Sequence, residues 1–296
     1  MVRVAVAGGS DGLGKAIVDA IRREGKHEVV ILSRRANENS PVIVVDYSSV
    51  ESLRSVLDRE RIHTVISTIG LYTECHHHSQ LNLIEASELT PCTERFIPSE
   101  FGIPTKPDPS FPFKIDTLRR LEKSTLEFAL IHTGIFLDYL CQTVWLHLER
   151  NAAAIPGDGS VPLVSLMLDL PSWDKRYYAI ADRLTLNELV RVVKEVKGVD
   201  VEVKYDPKDI LDRGECTLLP GPIEGEFKDN RFNAEAQYMK YMAALGSLVD
   251  DGLFDIDSIP IEETFPNFEP LTVGGSSEVG GTGIRAISTR HRDTHG

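Results

Sequence analysis

"VAVAGGSDGLGKAIV", residues 4–18, decides how the chain is read, because two phosphate-binding patterns overlap in it. Counted from Gly9 it spells G-x-x-x-x-G-K, the body of a nucleoside-triphosphate loop. Counted from Gly8 it spells G-G-x-x-G-x-G, a dinucleotide turn. A triphosphate loop needs Ser or Thr after its lysine to coordinate Mg²⁺. Here Ala16 follows Lys15, and no later strand ends in the clustered acids a Mg²⁺ partner requires. The dinucleotide reading places Gly8, Gly9, Ser10, Gly12, Leu13 and Gly14 between a first strand and a first helix. Glycine there permits a tight turn and close approach of backbone to pyrophosphate, and the helix N-terminus offers free N–H groups. Lys15 is then an ordinary first-turn residue.

Working outward, short β-rich runs alternate with helical stretches through the first half of the chain. Strands are expected at 2–8, 27–34, 41–47, 63–70, 94–102 and 127–134, with helices at 13–24, 49–60, 80–89 and about 116–123. Apolar residues at 13, 17, 18 and 21 mark one face of the first helix, and Ser49 suits an N-cap. Repeated units of this length imply a doubly wound parallel α/β sheet of the Rossmann type, with ligands beyond the carboxyl ends of its strands. After residue 151 the pattern loosens: a strand at 177–182, a capped helix at 185–198, an alternating strand at 199–206 and a long helix or helix pair at 234–254. The expected organisation is a dinucleotide-binding domain over 1–150, a smaller mixed α/β substrate lobe over 151–271, and a Gly/Ser-rich disordered tail over 272–296.

The end of the second strand selects the cofactor. NAD-binding versions carry an acid there for the ribose 2′-hydroxyl. This chain has Ser33, Arg34 and Arg35. A guanidinium suits a 2′-phosphate that a carboxylate would repel, so NADP(H) is favoured.

Composition narrows the partners. A net charge of −13 in 296 residues argues against nucleic acid or an anionic membrane surface. Cys75, Cys92, Cys141 and Cys216 are widely spaced, which indicates neither a zinc site nor a disulfide framework. A strand expected from Val2 leaves no room for a signal peptide, and no apolar run is long enough to span a membrane, so the cytosol is the expected compartment. "ECHHHS" (74–79) invites a metal reading, but adjacent histidines fan out around a helix axis, so no metal site is expected. No G-x-S-x-G supports a hydrolase.

"RFIPSEFG" (95–102), "FPFKIDTLRRLEKS" (111–124), "LIHTGIFLDYL" (130–140) and "IADRLTLNELV" (180–190) resemble the NmrA-like and isoflavone-reductase-like proteins, atypical short-chain dehydrogenases. The resemblance spans roughly residues 2–270 and is strongest to fungal members. It implies a Rossmann domain with a small substrate lobe, NADP(H), and reductase activity on aromatic or phenolic metabolites. Some relatives instead bind dinucleotides as regulators that act through a protein partner. The catalytic lysine of the reductases, just before the helix after "PSEFG", matches Lys114, where an apolar setting would depress its pKa for acid/base work. By the same matching, Thr68, Ile69 and Gly70 line the cofactor, Ser99, Glu100 and Phe101 lie near the nicotinamide, and Phe136 walls the substrate pocket. The chain departs from the family pattern after "GDGSVPLVS" (157–165), where a strand and helix are curtailed, and again in the tail. Both departures bear on the substrate lobe more than on the cofactor loop. Neither substrate identity nor oligomeric state is encoded in these motifs.

Overall fold

The structure is a computed structural model that describes residues 1–36, 41–104, 112–134, 167–179, 185–217, 235–253, 255–256 and 265. They fall into two units, the first drawing on Met1–His132, Ser160–Ala179 and Glu263–Pro266, the second on Thr133–Gly159, Ile180–Glu262 and Asn267–Gly296.

The first unit is built on a six-stranded parallel sheet. In chain order it contains β1 (Arg3–Ala7), α1 (Gly12–Glu24), β2 (Glu28–Ser33), β3 (Ile43–Val44), α2 (Val50–Arg59) and β4 (Thr64–Ser67). There follow α3 (Glu74–Glu88), β5 (Arg95–Ile97), α4 (Pro112–Glu122), β6 (Glu127–Phe128), β7 (Leu130–His132) and β8 (Arg176–Tyr178). The sheet order is β3-β2-β1-β4-β5-β6, every pairing parallel, and β7 and β8 form a separate parallel pair. β6 and β7 are one extended run that changes neighbours at Ala129. The Ala129 N–H donates to Phe96 in β5, whereas the Leu130 N–H donates to Lys175 beside β8.

Strands buried on both faces explain the near-continuous apolar runs. On one face, Ala5, Ala7, Leu32, Val65 and Phe96 join Leu53 and Leu57 of α2, Leu83 and Ile84 of α3 and Leu121 of α4 in one core. On the other, Val6 lies beside Val18 of α1 beneath Gly9. α1 ends at Gly25 in the left-handed region, φ 67°, with Arg22 and Arg23 in its last turn. Arg95 ties the segment after residue 166 to the sheet: it bonds Glu127 at 2.6 Å and the carbonyls of Leu170 and Pro171 at 3.0 and 2.8 Å. Its guanidinium also stacks 4.8 Å from the Trp173 ring centroid.

The second unit contains α5 (Leu186–Lys197), α6 (Lys208–Leu211) and α7 (Glu235–Asp250). Thr185 and Glu188 form a reciprocal capping box at the start of α5, and Gly198 closes it at φ 65°. Ser247 on α7 accepts from Lys208 at 3.0 Å and donates to Asp212 at 2.7 Å, fastening α6 to α7.

Three sequence expectations change. α3 begins at Glu74 rather than residue 80, because the Thr73 hydroxyl caps it by accepting from the His76 N–H. α4 begins at Pro112, which puts Lys114 inside the helix rather than before it. The stretch 199–206 holds a single bridge residue, Glu202, in place of the expected strand.

Candidate cofactor cleft and active site

The sheet order reverses between β1 and β4, and the strands on either side of that point end on the same edge of the sheet. In open α/β sheets this crevice is where ligands bind. The residues singled out in the sequence leave these strand ends: Gly8–Gly14 follow β1, Arg34 and Arg35 follow β2, Thr68–Gly70 follow β4, and Ser99–Phe101 follow β5.

The glycine loop is shaped by what its neighbours leave no room for. Gly8 turns at φ 80°, and its N–H donates to Leu32 at 3.3 Å. A Cβ on Gly14 would collide with the Gly8 carbonyl oxygen and the Thr68 hydroxyl. Thr68 is fixed in turn, its hydroxyl donating to the Ala7 carbonyl at 2.8 Å. Two of the glycines thus press α1 onto the β1 and β4 ends. Gly12 differs: it sits at φ 47°, and a Cβ there would meet nothing within 4 Å, so this turn faces open space. Asp11 at the N-cap makes no side-chain bond to the helix, and the first turn holds no acid. Those features fit a phosphate at the helix N-terminus. Lys15 pairs with Asp19 one turn along rather than turning back to the loop. Ser10 and Leu13 are half-buried in the same loop.

At the β2 exit, Arg34 and Arg35 are exposed, with the Arg35 N–H donating to the Ser33 hydroxyl at 3.3 Å. The positive charge of Arg34 reaches the His76 ring, whose pKa falls through burial first and Arg34 second. Among the described residues this strand end carries two guanidiniums, which suit a 2′-phosphate. Ile69 and Gly70 are half-buried, and the Tyr72 ring lies over Gly70, so a side chain there would require that ring to shift.

The β5 exit carries the acid/base candidate. Gln80 of α3, fully buried, accepts from the Ser99 N–H at 3.0 Å and donates to the Thr117 hydroxyl of α4 at 3.0 Å. One side chain therefore sets the "PSEFG" turn against the helix bearing Lys114. Lys114 Nζ donates to the Glu100 main-chain carbonyl at 3.3 Å and lies 3.7 Å from Glu100 Oε2. Glu100 is only 3% exposed. Burial pulls the Lys114 pKa below the ordinary lysine value, against the opposing pull of the Glu100 carboxylate. Phe101 is half-buried beside them; Phe136 lies outside the described residues.

Sequence reasoning passed over His132 at the end of β7. It has no solvent exposure, and its Nε2 lies 3.3 Å from an Arg176 nitrogen. Burial, then the charges of Arg176 and Lys114, hold its pKa at about 3. A histidine closing the apolar run "FALIH" was the available signal. The three histidines of α3 do fan out: His77 is buried and stacked 4.8 Å from Phe113, while His78 is exposed. Among the described residues no group of His, Cys, Asp and Glu is placed to hold a metal, and no helix is long and apolar enough to cross a membrane.

A parallel sheet of this order, with a glycine cradle at its switch point, defines a dinucleotide-binding Rossmann protein. No family model matches the chain. Oxidoreductase BOA1 of Botryotinia fuckeliana (strain B05.10) is 36% identical over 231 residues, 67% of this chain and 77% of that protein. Oxidoreductase swnN of Metarhizium robertsii (strain ARSEF 23 / ATCC MYA-3075) is 28% identical over 336 residues, covering 92% of this chain and 95% of that one. That alignment is longer than the chain itself, so the relative has residues this chain lacks. The solved complex "AtPrR2 with NADP+ and (+)pinoresinol" superposes with a TM-score of 0.69 at 17% identity, covering 92% of this chain and 96% of that one. The chain belongs to the NmrA-like, isoflavone-reductase-like family of atypical short-chain dehydrogenases.

Proposed function

We propose that the chain is an NADPH-dependent reductase of a small aromatic or phenolic metabolite, with Lys114 as its acid/base group. The observation that carries this reading is a lysine with a lowered pKa, held at the β5 exit of the same sheet edge that presents the glycine cradle and two arginines. Gly8, Gly9, Ser10, Gly12, Leu13 and Gly14 would hold the pyrophosphate, and Arg34 and Arg35 the 2′-phosphate. Thr68, Ile69, Gly70, Ser99 and Phe101 would line the dinucleotide. NADPH supplies a hydride when bound. Lys114 Nζ then delivers or accepts the proton at the substrate oxygen, because a depressed pKa lets an amine do so near neutral pH. Residues 151–271 would contribute most of the substrate lobe, with Phe136 as one wall of the pocket. The aromatic class rests on the pinoresinol of the AtPrR2 complex. A cytosolic setting is in keeping with the free thiols of Cys75, Cys92 and Cys216.

Lys114→Ala tests the reading. NADPH binding, followed by fluorescence titration, should stay close to wild type. Turnover of a panel of aromatic ketones, enones and lignans should fall about 10²- to 10⁴-fold. Retained turnover would remove Lys114 from the mechanism.

A further inference from the structure

We propose that Glu100 is a positioning residue for this reaction, its carboxylate and main-chain carbonyl together fixing Lys114 Nζ at the β5 exit. The inference rests on the reading of Lys114 given above and assigns Glu100 a task distinct from contact with the nicotinamide.

A hydrogen bond and an ion-pair contact to one residue define where an amine sits better than either alone. The main-chain carbonyl accepts from Nζ at 3.3 Å, and Oε2 stands 3.7 Å away. The turn that carries Glu100 is itself anchored. Its own N–H donates to the Pro98 carbonyl at 2.8 Å, and the neighbouring Ser99 N–H is held by buried Gln80, which also bonds α4 at Thr117. Lys114 and Thr117 are one helical turn apart, so the donor and its anchor move as one body. A carboxylate this deeply buried is costly unless it meets a cation. Lys114 is that cation.

The pairing also sets the charge state of the amine. Burial favours the neutral form of Lys114 and the carboxylate favours the ammonium. Among the described residues, Glu100 is the charged group that opposes burial at Lys114. His132, from β7, stays neutral down to about pH 3 and adds no charge, and Arg176 is engaged with the His132 ring. On α4 itself, Asp116 pairs with Arg119 on the exposed side, while His77 of α3 stacks against Phe113.

Glu100→Gln keeps the shape and removes the charge. Burial then acts unopposed, the Lys114 pKa falls further, and the ammonium is lost at lower pH. The limb of the kcat/KM–pH profile governed by Lys114 should move to lower pH by about 1 unit or more, the scale of an ion pair at close range. Glu100→Asp, which keeps the charge on a shorter stem, should bring the limb part of the way back. An unmoved limb in Glu100→Gln would overturn the inference, and so would a limb that moves equally in Glu100→Asp. If Lys114→Ala retains turnover, the fault lies with the reading of Lys114 instead. Should Glu100→Gln fold poorly, melting temperatures decide: the loss in Lys114→Met/Glu100→Gln should be less than the sum of the losses in Lys114→Met and Glu100→Gln, because either single change already breaks the contact between them. Additive losses would overturn the pairing.

Discussion

His132 closes an otherwise apolar strand, and its ring, shut off from solvent, lies against the Tyr178 ring and the cationic Arg176. Arg176 can only donate, so Nε2 accepts and the proton sits on Nδ1, for which no hydrogen-bond partner is found among the described residues. The pKa of about 3 in the folded protein lies below the unfolded value of 6.5. Between those values the unfolded chain binds a proton that the native chain refuses, so stability rises with pH there and is lost on acidification. This one ring contributes a slope approaching about 1.4 kcal/mol per pH unit at most. His63, His76 and His77, also lowered by burial, act in the same sense. Urea denaturation of wild type and His132→Gln across pH 4–8 should show a shallower acid slope in the variant and parallel curves above pH 7. Equal slopes would mean that the native ring takes up its proton in the same range as the unfolded one. Residue identity made Lys114 and the arginines candidates in the sequence, because few residue types perform the chemistry proposed for them. His132 was not legible, since a lone histidine in a strand shows neither what surrounds it nor which nitrogen is left unpaired.

At the scale of elements, α1 is held by absence of side chains. Gly14 lets the helix close upon the Gly8 carbonyl and the Thr68 hydroxyl, and a methyl group there has a backbone atom against it that cannot swing aside. Gly14→Ala should therefore push α1 away from the β1 and β4 ends. The expected cost is about 1–3 kcal/mol of stability, as for overpacking elsewhere, together with weakened NADPH binding. Chemical denaturation beside a cofactor titration would check both; a stable variant with unaltered affinity would show that the loop tolerates a looser helix. The glycine spacing was readable because each glycine answers a local steric demand. Helix starts were read less well. The expected start of α3 at residue 80 left the histidines outside the helix, whereas the true start follows from a cap: Thr73 takes the His76 N–H and draws three histidines into the first two turns. The switch of partner at Ala129 was equally hidden, because β6 and β7 form one apolar run whose change of neighbour depends on Lys175, far along the chain.

For the whole molecule, the departures from the family pattern and the cofactor edge lie in different stretches of the chain. The residues just after the curtailed stretch, Met167–Trp173, are anchored to the sheet by Arg95 and by Trp173, whose N–H donates to Glu127 at 2.6 Å. Anchoring of that kind was invisible in the sequence, since it joins residues more than 70 positions apart. Binding of dinucleotide is expected to depend on the sheet edge rather than on the stretch 157–165. A ligand that binds only the folded chain stabilises it by about 2.7 kcal/mol at a hundred times its Kd, so a rise in melting temperature reports affinity. NADPH should raise the melting temperature well above NADH at equal concentration, and Arg34→Ala/Arg35→Ala should erase the gap, each charge-assisted bond to the 2′-phosphate being worth about 1.5–3 kcal/mol. A gap that survives the double substitution would move the 2′-phosphate away from the β2 exit. The same assay run with NADP⁺ separates an enzyme from a redox-sensing regulator. A regulator shifts between states only by binding the two redox forms unequally, by a factor of about 5–150 in systems of this kind. A reductase that turns over must release NADP⁺ and needs no such preference. Comparable shifts with NADPH and NADP⁺, together with loss of turnover in Lys114→Ala, would leave the regulator without its signal and the reductase with its acid/base group.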